Sequence, residues 1–135
     1  MKKIVFSLII LAILSCNGSD DNPPPTSNNV LVGTWNVIKI IYDNTTTGVI
    51  EPDVTGTITF NTDGTGRENY TYTVLGIPIP NVSNFTWRST NTQIIFDEGT
   101  SDEAVWGRVQ NTSNLQVGRF EESTGNTNIT ITIEK

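Results

Sequence analysis

The run Asn128-Ile129-Thr130-Ile131-Thr132-Ile133 alternates polar and apolar side chains over six consecutive residues. Thr57-Ile58-Thr59-Phe60 and Tyr70-Thr71-Tyr72-Thr73-Val74 follow the same rhythm. Successive side chains of a β-strand point to opposite faces, so this alternation is typical of strands with one apolar and one polar face. From Val30 onward the sequence has no helical period. It therefore predicts an all-β domain.

The spacing of these strands predicts how they connect. We predict eight strands, at residues 31–42, 55–61, 65–74, 83–89, 92–97, 103–110, 113–121 and 127–134. The connections between them alternate in length, and the long ones cover residues 43–54, 75–82, 98–102 and 122–126. In an up-and-down meander the long loops then gather at one end, the rim, and the tight turns at the other end, the base. Such a meander closes into a barrel without free edges, so we predict an eight-stranded up-and-down antiparallel barrel. A sandwich with Greek-key crossings is the alternative.

Composition excludes several classes of function. The chain has 135 residues, 14 acidic and 8 basic, with no His and a single Cys. A Ser-His-Asp triad, a His-ligated zinc site and an internal disulfide are therefore impossible. An isoelectric point near 4.4 argues against a nucleic-acid partner, which needs a basic surface. We expect no catalytic residues, cofactor or metal, and hence no enzyme. The acidic run at residues 97–103 lacks the spacing of an EF-hand loop, and we interpret it as a solvated surface.

The first sixteen residues have the layout of an export signal. Lys2 and Lys3 precede an apolar run at residues 4–14, which is too short to span a membrane. The run ends in Ile13-Leu14-Ser15-Cys16, which resembles the lipobox of bacterial lipoproteins. The resemblance implies cleavage between Ser15 and Cys16 and attachment of fatty acids such as palmitate to Cys16. The alternative is an ordinary secretory signal in which the Cys occurs by chance.

A polar linker follows this signal. Residues 17–29 include Ser19-Asp20-Asp21, which resembles the export signal of surface-exposed lipoproteins in some Gram-negative lineages. A plain acidic tether is the alternative. The predicted organisation is thus a signal peptide (1–15), a lipidated Cys with a flexible tether (16–29) and a barrel domain (30–135). The implied location is the outer membrane of a Gram-negative bacterium, with membrane contact through the lipid and the domain displayed at the surface.

The barrel itself resembles the lipocalins, and more closely the small lipocalin-like domains of bacterial lipoproteins. The resemblance rests on Leu31-Val32-Gly33-Thr34-Trp35, on residues 58–66 and on Phe85-Thr86-Trp87. It implies that Gly33 and Trp35 close the base of the barrel. One departure is that lipocalins usually cover this Trp with an Arg after the last strand, where this chain has Lys135. Arg67, Arg88 and Arg108 are the alternative candidates for covering Trp35.

A lipocalin-like barrel implies a cup that holds a ligand. If Trp35 points inward, strict alternation also turns Val37, Lys39 and Ile41 inward. The same parity selects Val105, Val109, Leu115 and Val117 for the interior, with Trp106 competing in its strand. The predicted ligand-binding residues are Lys39, Ile41, Tyr70, Tyr72, Val74, Phe85, Trp87 and Phe96. Lys39 would pair with a carboxylate such as Glu68, bind an acidic group of a ligand, or point outward if the register differs.

Two functions remain open. The first is a membrane-anchored lipoprotein, monomeric, that binds a small apolar or amphipathic molecule in the barrel. The second is a cell-envelope interaction module with a solid core, whose rim loops bind a protein or glycan. An open cup favours the first function, and a filled core favours the second.

Overall fold

The computed structural model describes residues 30–121 and 125–135. Within these ranges the chain forms strands and connections, and no helix there has the length and apolarity that a membrane span needs. The strands are β1 (Gly33–Asn44), β2 (Gly48–Ile50), β3 (Asp53–Phe60), β4 (Thr65–Val74), β5 (Ile77–Ser89), β6 (Gln93–Phe96), β7 (Ala104–Asn111), β8 (Leu115–Glu121) and β9 (Thr127–Glu134).

These strands form a closed antiparallel barrel. From β3 to β9 each strand pairs with the next, β3 also pairs with β1, and β9 pairs with β1 to close the ring. The eight-stranded up-and-down barrel predicted from the sequence is therefore confirmed. The short strand β2 is an addition, because it pairs with the end of β1 inside the predicted 43–54 loop.

The connection between β4 and β5 differs from the prediction. Instead of an eight-residue loop it is a two-residue turn, Leu75-Gly76, whose φ angles of 53° and 77° are both positive. Positive φ at both central residues is the hallmark of the type I′ hairpin turn, which suits the twist of paired strands. Strand β5 accordingly begins at Ile77, six residues before the predicted start.

Two prolines, Pro78 and Pro80, lie near the start of β5, and proline is more common in loops than in strands. The N–H and C=O of Thr86 both bond to Asp97, on the β6 side of β5. Backbone groups alternate sides along a strand, so the nitrogens of Pro78 and Pro80 also point to that side. There β6 pairs only with the last three residues of β5, so the prolines lie where no neighbouring strand needs a donor.

The base of the barrel is closed as the sequence predicts. Trp35 is fully buried, and its indole Nε1 donates to the Leu31 carbonyl oxygen at 2.6 Å. The ammonium of Lys135 lies 4.6 Å from the centre of the Trp35 ring, within the range of a cation–π contact. It also donates to the carbonyls of Val30 and Val32. Lys135 thus takes the covering place, and the arginines considered as substitutes do not.

A β-bulge in β1 reverses the predicted parity of that strand. Opposite β9, Val37 pairs with Ile133 and Lys39 with the next residue, Thr132, so Ile38 is an extra residue. One inserted residue turns all later side chains to the other face. Ile40 is therefore buried, whereas the inward placement of Lys39 and Ile41 was wrong. On the outer wall Lys39 forms an ion pair with Glu51 at 2.9 Å.

The predicted parity was also wrong in β7 and β8. Trp106 is the buried residue of β7, and Val105 and Val109 are 39% and 63% exposed. In β8 the interior positions belong to Gln116 and Gly118 rather than to Leu115 and Val117. Glycine fits the inward position 118 because it has no side chain, since the Trp106 indole occupies the space in which one would lie.

Candidate ligand cavity

The rim half of the barrel contains an open cavity of about 310 Å³, which we call the rim cavity. A smaller cavity of about 170 Å³, the side cavity, shares Glu68, Ala104 and Phe120 with it. The rim cavity is lined by Ile40, Tyr42, Glu68, Tyr70, Ala104, Phe120, Glu121, Ile129 and Ile131. The side cavity is lined by Glu68, Ser83, Phe85, Phe96, Asp97, Asp102, Ala104 and Phe120.

The unequal lengths of neighbouring strands create the side cavity. β5 has 13 residues and β6 has four, so β6 ends at Phe96 while β5 continues toward the rim. The chain then turns away at Asp97, which has a positive φ of 47°, and returns at Ala104 in β7. The wall of the barrel is therefore open between the rim half of β5 and β7.

Aromatic rings form the floor of both cavities. Phe96 lies 5.1 Å from Phe85 and 6.0 Å from Phe120, measured between ring centres. Trp106 stacks on Phe96 with an angle of 17° between the rings and lies 5.5 Å from Phe120. These contacts continue through Phe60 toward the base. The buried core therefore continues from these rings to the base, and the rim and side cavities lie on the rim side of this layer.

One carboxylate and its donors supply the polar part of the cavity. Glu68 on β4 pairs with Ser83 on β5, and Tyr70 pairs with Asn81. The Asn81 amide donates to Glu68 Oε2 at 2.8 Å, and the Ser83 hydroxyl donates to the same oxygen at 3.0 Å. Both bonds hold the carboxylate against the β4–β5 hairpin. The β4–β5 pairing thus sets the position of the charge.

Tyr70 is buried beside this carboxylate. Burial raises the pKa of its phenol above the ordinary value, and the charge of Glu68 raises it further. Hydrogen bonding with Asn81 acts in the opposite direction. The phenol is therefore protonated at neutral pH, and Tyr70 is part of the lining of the rim cavity.

The charged residues that line the two cavities are all acidic: Glu68, Asp97, Asp102 and Glu121. The ion pairs among the described residues join Lys39 to Glu51 and Arg88 to Glu98, all partly exposed to solvent, and neither pair includes an acidic residue of the two cavities. In the part of the chain that the structure describes, no three carboxylates or other ligating groups converge to hold a metal ion.

Three of the eight predicted ligand-binding residues line these cavities: Tyr70, Phe85 and Phe96. Tyr72 is half-buried, with its ring 6.1 Å from that of Tyr42, and lies beside the rim cavity without lining it. Val74 is half-buried at the rim end of β4.

Trp87 and the β1 residues take no part in the lining. Trp87 is buried nearer the base, where its indole Nε1 donates to the Thr65 carbonyl at 2.9 Å. Lys39 and Ile41 lie on the outer wall, as described above.

Sequence reasoning named Glu68 only as a partner for an inward Lys39, and it did not assign Asn81 or Ser83 to the site. Glu68 has the same parity as Tyr70 and Tyr72, so the alternation of β4 was a usable signal for its inward position. Asn81 could be placed only once β5 was extended, because it fell in the predicted 75–82 loop, whereas Ser83 was the first residue of the predicted strand 83–89. Phe120 was missed because the prediction turned Leu115 and Val117 inward, which places Phe120 on the outer face, whereas β8 has the opposite parity.

The fold and cavity together define a class of protein: a small antiparallel β-barrel, closed by a tryptophan at one end and open to a cavity at the other. The sequence matches the lipocalin-like domain family over residues 31–117, and the chain belongs to this family. A search of curated proteins finds no match.

Comparison with solved structures finds other small barrels. The odorant-binding protein OBP1 is 12% identical, with a TM-score of 0.47, and the match covers 83% of this chain and 75% of that one. A redesigned β-barrel is 15% identical, with a TM-score of 0.46, over 78% of this chain and 91% of that one. A deswapped triple mutant of the bovine odorant-binding protein is 15% identical, with a TM-score of 0.44, over 78% of this chain and 74% of that one.

Proposed function

We propose that this protein binds one small apolar or amphipathic molecule in the rim cavity. The observation that carries the proposal is the shape and chemistry of this space. Its volume of about 310 Å³ lies at the lower end of the range for small-molecule sites. An aromatic and aliphatic lining with a few polar groups at one side is the usual composition of such sites.

Native mass spectrometry tests this proposal directly. A chain that begins at Pro24 lacks Cys16 but contains every strand and the whole core that the structure describes. Incubated with an extract of the organism's membrane fraction and then repurified, this chain should carry a small-molecule adduct in a ratio of one to one. N-phenyl-1-naphthylamine, a neutral dye whose fluorescence rises in apolar surroundings, measures binding when the natural ligand is unknown.

Two neighbouring residues provide the variant and its control. Ala104 lines both cavities, whereas the side chain of Val105 points to solvent on the other face of β7. Ala104→Phe should fill the cavity and abolish the adduct and the dye signal, while Val105→Phe should retain both. Equal binding by the two variants would place the ligand outside the barrel and refute the proposal.

A second candidate is an interaction module that acts through the rim. Two hairpin tips at that end expose apolar side chains, namely Val49, Ile50, Leu75 and Ile77, and Leu75 is 96% exposed. Exposed apolar tips of this kind occur at interaction surfaces. Crosslinking in cells separates the candidates, because a rim partner would be lost in Leu75→Ser and kept in Ala104→Phe.

We also propose that the mature protein is a monomeric lipoprotein anchored through fatty acids on Cys16. The support is the sequence at residues 1–16, which lies outside the described residues. A geometric point agrees with it. Val30 lies at the base, where Lys135 binds its carbonyl, and the rim cavity lies at the opposite end. A tether attached at the base leaves the cavity accessible while the protein is anchored.

The proposed location is the outer membrane of a Gram-negative bacterium, with the domain on the cell surface. The Ser19-Asp20-Asp21 run supports display at the surface. Protease added to intact cells should remove the domain of the natural protein. It should spare a variant in which Asp20 and Asp21 are both alanine, if these residues direct export. Protection of both proteins would show that the domain faces the periplasm.

A further inference from the structure

Glu68 carries a charge that the barrel does not balance. Its two hydrogen bonds, from Asn81 and Ser83, both reach Oε2. Among residues 30–121 and 125–135, no hydrogen-bond donor reaches Oε1. The ion pairs found in those residues join Lys39 to Glu51 and Arg88 to Glu98, so none involves Glu68. Glu68 is half-buried, and a ligand that covers it removes the water around this charge, which is costly unless the ligand itself supplies a cation or a donor.

The rest of the lining adds to this negative charge. Asp97, Asp102 and Glu121 are the other charged residues of the two cavities. Asp97 is engaged through Oδ1, which accepts from the backbone N–H and the hydroxyl of Thr86. Of the two acidic residues that line the rim cavity, Glu68 is half-buried and Glu121 is exposed, so Glu68 is the carboxylate that a ligand in this cavity would cover. An anionic ligand would be repelled here, and a neutral one would leave the charge uncompensated.

We propose that the ligand of the rim cavity is a cationic amphiphile, an alkyl or aryl amine whose ammonium group binds Glu68. This inference rests on the proposed function, because it names the ligand class for the same cavity. The ammonium donates to Glu68 Oε1, and a charged donor on a charged acceptor gives one of the strong hydrogen bonds of proteins. The ring of Tyr70, in the same lining, offers a π-face to the cation. The apolar body of the ligand lies against Phe120, Ile129 and Ile131.

Three probes with the same alkyl chain test the role of charge without any mutation. Octylamine, octanol and octanoate are cationic, neutral and anionic at pH 7. Calorimetric titration of each probe into the chain that begins at Pro24 measures direct binding. Displacement of bound N-phenyl-1-naphthylamine by the same probes measures competition for its site. Octylamine should bind about tenfold more tightly than octanol, since a hydrogen bond to a charged group contributes about 1.5 kcal/mol or more. Octanoate should bind most weakly.

A matched pair of variants then assigns the effect to one residue. Glu68→Gln removes the charge and retains the shape, and Glu134→Gln makes the same change on an exposed residue at the base. Glu68→Gln should abolish the preference for octylamine over octanol and leave octanol binding in place. Glu134→Gln should behave like the natural protein. Urea unfolding of both variants verifies that the barrel is intact.

The outcomes separate this inference from the proposed function. If octanol binds as tightly as octylamine, or if Glu68→Gln retains the preference, the cationic ligand is refuted while the cavity remains a binding site. If none of the three probes binds and the dye is also excluded, the proposed function fails and this inference fails with it.

Discussion

A single methyl group at position 118 should disrupt the barrel. In β8, a Cβ built on Gly118 would lie 0.2 Å from Nε1 of Trp106 and within 1.5 Å of two carbons of the same ring. The indole must retreat by about 3 Å before this becomes an ordinary contact. Such a movement removes the ring from its stack on Phe96 and its contact with Phe120. The substitution Gly118→Ala therefore displaces the buried Trp106 side chain from its packed position.

The expected loss of stability follows from that displacement. Removing a buried Phe or Trp from a core costs about 3 to 5 kcal/mol, and we expect Gly118→Ala to approach this range. A loss of this size is a large part of the total stability of a domain, about 5 to 15 kcal/mol. Gly107→Ala on the neighbouring strand is the matched control, because its Cβ would meet only the Arg119 carbonyl oxygen, at 3.6 Å. Its cost should stay within about 0.5 kcal/mol.

Urea unfolding followed by tryptophan fluorescence measures both variants. A double-mutant cycle isolates the clash, because Trp106→Ala empties the space that the new methyl group needs. In that background Gly118→Ala should cost little. Equal unfolding midpoints for Gly118→Ala and Gly107→Ala, or an undiminished cost in the Trp106→Ala background, would refute the argument that the indole and the methyl group compete.

Four further predictions address the base, the cavity, the outer wall and the anchor. Trp35→Ala should lower the free energy of unfolding by about 3 to 5 kcal/mol, and an unchanged urea midpoint would contradict its role as the plug. Because folding raises the pKa of Tyr70, its contribution to stability is complete below the ordinary tyrosine pKa of about 10 and is lost as the pH rises above it. Urea midpoints should therefore fall above this pH in the natural protein and fall less in Tyr70→Phe; equal slopes would argue against burial of the phenol. Lys39→Ala should leave the binding of N-phenyl-1-naphthylamine unchanged, because Lys39 lies on the outer wall. A loss of binding would show that its side chain faces the cavity. Cys16→Ser should abolish labelling by radioactive fatty acid, and persistent label would rule out this anchor.

Strand positions were predictable where alternation is strict and undisturbed. β4 and β9 begin and end at the predicted residues, because each is a regular run with one partner on either side for most of its length. The start of β5 was missed because Pro78 and Pro80 favour loops in most contexts. They fit this strand because β6 is too short to pair with it there, which is a property of a neighbour and not of β5 itself.

The cavity was predictable in outline but not in its charge. Tyr70, Phe85 and Phe96 were placed correctly because local parity and burial agree for each of them. The sequence offered Lys39 as the charged residue of the cup, and the structure has Glu68 there with the opposite sign. The inversion follows from one extra residue, Ile38, in the β1 bulge.

The sequence by itself determined the class of fold, the number of barrel strands and the tryptophan at the base. These depend on local patterns: period-two alternation, turn residues, and a Gly-x-Trp run at the start of the first strand. Only the tertiary structure decided which face of β1 and β8 turns inward and where the wall opens. A bulge in β1, the volume of Trp106 against Gly118, and the unequal lengths of β5 and β6 settle those points. Each is a relation between neighbouring strands of the barrel, and the face that a side chain takes depends on the pairing and the space that the neighbouring strand provides.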